Sequence, residues 1–178
     1  MNRDFAEMLS ALSEAGADFL IVGAHALAAH GIARATGDID IWVDSTPENA
    51  ARVMRALTAF GAPLRDLTAD DLTKSDTVVQ IGVDPSRIDI LSGISGVQFA
   101  DAWNRRVVLD IEGVTVPVIS RADFVTNKRA AEGSARSRTA RRLTPGCASS
   151  LLPSRFEPRR DRPRRAARSL PSSPRATI

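Results

Sequence analysis

Three aspartates carry the chemistry open to this chain. Asp38 and Asp40 are one residue apart in a run that continues through Ile41, Trp42 and Val43. Successive side chains of a strand point to opposite faces, so the two carboxylates share one face while Ile39, Ile41 and Val43 occupy the other. Carboxylates that close repel, which raises one pKa unless a cation lies between them, and oxygen-rich sites of this kind suit Mg²⁺ or Mn²⁺. Asp89 sits between Ile88 and Ile90, an unusual position for a lone carboxylate. Three carboxylates on two strands are the smallest set able to hold two divalent ions roughly 3.5–4 Å apart for in-line displacement at phosphorus. Asp89 would hold the second ion or accept the proton of the attacking hydroxyl. The flanks supply phosphate contacts. Gly23 permits close backbone approach, the N–H groups of a helix starting near Ala24 can cradle a phosphate, Arg34 can pair with one bidentately, and Thr36 can donate a hydroxyl.

These residues need elements to hold them. Residues 18–23 read as an apolar strand ending at Gly23, followed by a short Ala-rich helix closed by Gly31 and a basic, hydroxylated connector into the Asp38 strand. Upstream, Phe5, Met8, Leu9 and Leu12 fall at helical spacing, with Gly16 as the C-terminal cap. Downstream, Ser45 and Glu48 with Pro47 signal a helix start, and Val53, Met54, Leu57 and Phe60 give a buried stripe, so a helix over 47–60 is expected. A turn of helix is expected at 69–72. Residues 77–83 and 86–91 read as one hairpin, and 106–111 with 114–119 as another. A short helix over 97–104 lies between the hairpins, and Ser120 with Asp123 opens a last helix carrying Lys128 and Arg129. His25 and His30, five residues apart, do not share a helix face and are read as packing or surface residues. Trp42 and Trp103 are read as core or interface anchors.

Composition bounds the rest. A chain of 178 residues, 43% apolar, can bury a sizeable core. The single Cys147 excludes a disulfide framework and a cysteine-based zinc site. Neither a signal peptide nor an 18-residue apolar span is found, so no membrane partner is expected and the chain is read as cytoplasmic. The net charge of +3 conceals a split. Residues 1–131 hold 12 Lys+Arg against 18 Asp+Glu, a net of −6, whereas 132–178 hold 12 Arg against 3 acids, a net of +9. That tail also contains 8 Ser and 6 Pro with almost no apolar periodicity. Such a composition cannot bury enough surface to offset chain entropy, and disorder is expected for it. The expected organisation is a domain over 1–131 and an Arg/Pro/Ser-rich tail over 132–178.

The run of strand, Gly23-Ala24, short helix and Arg34-x-Thr36-x-Asp38-Ile39-Asp40 resembles the first motif of the minimal nucleotidyltransferases of the DNA polymerase β-like superfamily. It is most similar to the abortive-infection (AbiEii-type) toxin branch. The resemblance covers about residues 5–131. It implies an α/β nucleotidyltransferase fold with a mixed sheet and flanking helices, and transfer of a nucleoside monophosphate from an NTP to an acceptor hydroxyl using Mg²⁺ or Mn²⁺. The acceptor would be tRNA, a protein or a small molecule. It further implies Asp38, Asp40 and Asp89 as metal and catalytic residues and Gly23, Ala24, Arg34 and Thr36 as triphosphate contacts. Arg87-Ile88-Asp89-Ile90 is similar to the family's later acidic strand, and Asn127-Lys128-Arg129 to the start of its nucleotide-binding helix, with Lys128 on the nucleotide. Two departures stand out. Ala24 replaces the Ser or Gly common after the first glycine, and the acidic, apolar-periodic helix expected after Ala131 is absent. A shifted reading frame in a GC-rich gene would produce that change of texture. Sequencing the source locus tests this, since an intact frame with no Asp/Leu-rich alternative would refute it. A chain so altered would serve as a catalytically impaired interaction or toxin–antitoxin module, with a partner protein or a second copy completing it. A metal-dependent nuclease using the same carboxylates is the third reading.

Overall fold

The computed structural model describes residues 2–32, 36–64, 67–83, 85–111, 114–132 and 139–143. Helix α1 (Arg3–Glu14) is capped by Asn2, whose side chain accepts from the Asp4 amide, and it buries Phe5, Met8, Leu9 and Leu12. Strand β1 (Phe19–Val22) is buried throughout and runs directly into α2 (Gly23–Ala29). Strand β2 (Asp38–Val43) precedes α3 (Pro47–Phe60), which begins on its proline and stops at the left-handed Gly61. Thr46, not Ser45, is the N-cap of α3, and it makes no side-chain capping bond; its hydroxyl turns back to Asp44 instead, 3.1 Å away. Helix α4 (Ala69–Thr73) does carry a capping box, between Thr68 and Asp71. Next come β3 (Thr77–Ile81), β4 (Arg87–Leu91), α5 (Phe99–Asn104), β5 (Val107–Ile111), β6 (Val114–Val118), α6 (Arg121–Glu132) and β7 (Thr139–Leu143).

The protein is a mixed α/β structure. Among the described residues, seven strands form one sheet in the order β5-β6-β1-β2-β4-β3-β7. Both expected hairpins are present as antiparallel pairs, β3 with β4 and β5 with β6. The central pairs are β1 with β2, antiparallel, and β2 with β4, parallel. Helices α1 and α3 supply the apolar layer whose Leu9, Leu12, Val53 and Leu57 are buried in the same core as Ile39, Ile41 and Val43 of β2. That core fixes the opposite face of β2 as the one carrying Asp38 and Asp40.

Residues 139–143, within the Arg/Pro/Ser-rich stretch, form β7, parallel to β3 with Gln80 opposite Arg142. The first compact unit runs Met1–Gly146. Strand addition satisfies the free backbone N–H and C=O groups of an edge and asks little of side-chain composition. The remainder of the tail lies outside the described residues. Among the described residues, no helix is long and apolar enough to cross a membrane.

Helix α6 starts where Ser120 and Asp123 were expected to open it. Asp123 is buried and takes Arg105 Nη2 at 2.8 Å on one oxygen. Arg105 Nε at 3.1 Å and the Ser120 hydroxyl at 2.7 Å reach the other. The Arg105 hydrogen bond, ahead of the Ser120 bond, holds the Asp123 carboxyl below its ordinary value of 3.8. A depressed carboxylate contributes stability that is fully present above the unfolded pKa and is lost as pH falls through the folded one. Asp123→Ala is therefore expected to cost roughly 1–3 kcal/mol in urea unfolding at pH 7, with the difference from the parent shrinking below pH 4.

Candidate active site

Strand register decides which carboxylates meet. Asp38 lies directly opposite Arg87, and Asp40 directly opposite Asp89, in the parallel β2–β4 pair. Directly opposed residues share a face, so these four side chains form a square on one surface of the sheet. Asp38 and Asp40 are half-buried, and Asp89 is buried with 6% exposure.

Arg87 holds two corners of that square together. Its guanidinium bonds the Asp38 carboxylate through Nη2 and reaches Asp89 through Nε at 3.0 Å. The other Asp38 oxygen accepts the Thr36 hydroxyl, and Gln80 Nε2 lies 3.5 Å from the second Asp89 oxygen. Asp40 is different. No hydrogen bond or ion pair holds its carboxylate among the described residues. Burial, followed by repulsion from Asp38 and Asp89, pushes Asp40 up to about 6. Burial also raises Asp89, against the opposing pull of Arg87.

Gly23 is what lets Asp40 sit there. Val22 pairs with Asp40 across β1–β2, and the chain turns into α2 at the next residue with a φ of +64°. A Cβ at Gly23 would lie 1.9 Å from Asp40 Oδ2. The glycine therefore meets two demands, a left-handed backbone and a carboxylate packed against its Cα.

These residues enclose a cleft of about 490 Å³ lined by Gly23, Ala24, Leu27, Thr36, Asp38, Asp40, Phe124 and Lys128, a size typical of small-molecule sites. Lys128 comes from α6, its ammonium 5.4 Å from the centre of the Phe124 ring, and its charge acts on Asp40. The helix is held in place by Asn127, which donates to the Ser95 carbonyl at 2.9 Å. Gly96, at φ +77°, adds a close approach, since a Cβ there would come within 2.6 Å of Ala130 Cβ.

The structure thus brings six of the expected residues, Gly23, Ala24, Thr36, Asp38, Asp40 and Lys128, around one cleft. Asp89, on the neighbouring strand β4, is not among the residues that line it, and Arg34 lies outside the described residues. Among the described residues no three His, Cys, Asp or Glu side chains are placed to hold a metal ion together, and Arg87 bonds both Asp38 and Asp89. Sequence reasoning quoted Arg87 only beside Asp89 on the later acidic strand, and it gave neither Arg87 nor Leu27 nor Phe124 a role in the site. The signal for a role is parity for Arg87, two residues before Asp89 on the same strand face, and for Phe124 its place one helical turn before Lys128. Neither histidine is among the residues that line the cleft: His30 Nε2 meets the Ile119 carbonyl at 2.8 Å. His25 packs edge-on to Phe5, and burial lowers its pKa.

No family model and no curated protein matches the sequence. Among solved structures, a Thermotoga maritima protein (TM1012) provisionally described as a nucleotidyltransferase aligns over 74% of this chain and 82% of its own. The identity is 17% and the TM-score 0.49. A likeness at that level says nothing about chemistry.

Proposed function

We propose that this chain transfers a nucleoside monophosphate from an NTP to an acceptor hydroxyl with the help of Mg²⁺ or Mn²⁺. The observation that carries the reading is Asp40: a half-buried carboxylate that takes no hydrogen bond or ion pair among the described residues, beside Asp38, in a cleft that also holds Lys128. The Asp40 oxygens, unbonded among the described residues, fit a hard divalent cation, and Asp40 with the remaining lone pairs of Asp38 would be its ligands. When bound, that ion would neutralise triphosphate charge and make the α-phosphorus more electrophilic.

The chain's own residues have separate tasks. Gly23 and Ala24 leave the cleft wall low enough for phosphate to approach the backbone. Thr36 and Arg34, from the connector, and Lys128, from α6, place and neutralise the phosphates. Asp89, buried outside the cleft lining, anchors the Arg87 guanidinium that also bonds Asp38. Phe124 and Leu27 give the cleft an apolar side against which the base or sugar can lie. The acceptor is a tRNA, a protein side chain or a small molecule, and a partner chain or second copy would help to hold it.

Incubation with Mg²⁺, bulk tRNA and NTP labelled at the α-phosphate tests this directly. Label incorporated into the acceptor by the parent and lost in Asp38→Ala supports the proposal. Release of inorganic phosphate from γ-labelled NTP, with no α-label transferred, would replace it with phosphohydrolysis. RNA cleavage without NTP would replace it with nuclease action. A second reading, a module without turnover, draws on the Asp38–Arg87–Asp89 bridge, which pairs two of the three carboxylates with a cation of the chain itself. Binding of metal-NTP with no product from any acceptor would favour it.

A further inference from the structure

The square formed by Asp38, Asp40, Arg87 and Asp89 has three acidic corners and one basic one. Its neighbouring strands are about 4.8 Å apart. Arg87 spends its fork on two of the three carboxylates, taking Asp38 from the adjacent strand and Asp89 from its own. Asp38 then has one oxygen on Arg87 and the other on Thr36, and Asp89 has Arg87 on one oxygen and Gln80 within 3.5 Å of the other. Asp40 occupies the corner diagonal to Arg87 and takes no such bond among the described residues.

Planar guanidinium and a divalent ion compete for the same carboxylate lone pairs. A partly buried guanidinium that bridges two carboxylates is the stronger resident, because its withdrawal would leave both of them uncompensated. Arg87 is 25% exposed along its side chain and Asp89 only 9%, so water does little to loosen the pair.

We propose, building on the metal-dependent reading above, that Arg87 is a resident cation standing where a second divalent ion would sit, so that this face takes up one ion where three carboxylates alone would take two. Arg87 is a positioning residue in this role. It fixes the number of ions by holding Asp38 and Asp89 in an ion pair, and it leaves Asp40, with the remaining capacity of Asp38, to bind the single ion.

Ion number is read without any turnover. The full 178-residue chain is titrated with Mn²⁺ alone, and bound ions are counted from the loss of the free-ion electron paramagnetic resonance signal. One ion is expected for the parent, two for Arg87→Gln, in which Asp38 and Asp89 are released, and one for Arg87→Lys, which restores the charge. A purely structural role for Arg87 would leave the count unchanged. Two ions in the parent, or one in Arg87→Gln, overturns the inference while leaving the metal-dependent reading intact. No ion in either overturns both. If Arg87→Gln does not fold, as judged by its melting curve, the parent count decides between one and two. The Asp38→Asn, Asp40→Asn double variant identifies the ion's position, since a count unaffected by it places the ion elsewhere and refutes the assignment.

Discussion

Asp40→Asn is expected to melt roughly 5 °C higher than the parent at pH 8 while losing nucleotidyl transfer by roughly 10³-fold or more. Both effects have one cause. The Asp40 carboxyl titrates at about 6 in the folded protein against 3.8 as its ordinary value, because it is buried and faces Asp38 and Asp89. A carboxyl raised on folding binds its proton more tightly in the native state, so stability declines as pH rises between those two values. Above pH 6 the penalty is complete, on the order of 2–3 kcal/mol at 1.36 kcal/mol per unit. Asparagine has the same shape without the charge and removes the penalty. The melting curves of parent and variant should therefore separate above pH 6 and merge below pH 4. Added Mg²⁺ should raise the parent selectively, since binding to the native state alone stabilises it by mass action. Equal melting temperatures at pH 8 would mean that Asp40 is not destabilised by its surroundings.

Gly23→Ala is the second change with a large expected effect. The left-handed backbone at φ +64° costs an alanine roughly 1–2 kcal/mol. The larger consequence is steric, because the new Cβ would fall 1.9 Å from Asp40 Oδ2 and 2.8 Å from its Cγ. Asp40 cannot retreat with its backbone, which is paired to Val22 on one side and Asp89 on the other. Its carboxylate must swing away from Asp38, which should weaken metal-NTP binding by roughly 10²-fold. Gly31→Ala is the control. Gly31 has a φ of +88° and nothing within 4 Å of the would-be Cβ. It should lose comparable stability and retain binding, so equal binding losses in the two variants would refute the steric account.

Much of the site was legible because it is written in local rules. The alternation Asp38-Ile39-Asp40-Ile41 places two acids on one face whatever the tertiary structure, and Gly23 at a strand end marks a close approach. The neighbour of β2 was not legible. Strand pairing is a long-range choice, and the parallel β2–β4 register that sets Arg87 beside Asp38 involves residues 49 positions apart. Without that register the three aspartates look like an uncompensated cluster that needs ions. With it, one arginine already satisfies two of them. Strand β7 shows the same limit from the other side: it joins the edge of β3 through backbone pairing, which composition does not report.

The central claim is that Asp38 and Asp40 form a metal-dependent nucleotide site. A thermal-shift titration of the whole chain with Mg²⁺ and each NTP in turn, beside the Asp38→Ala, Asp40→Ala double variant, tests it most directly. The account predicts a rise in melting temperature that needs both Mg²⁺ and an NTP and is absent from the variant. A rise of equal size in the variant, or none in a folded parent with any NTP, would contradict it.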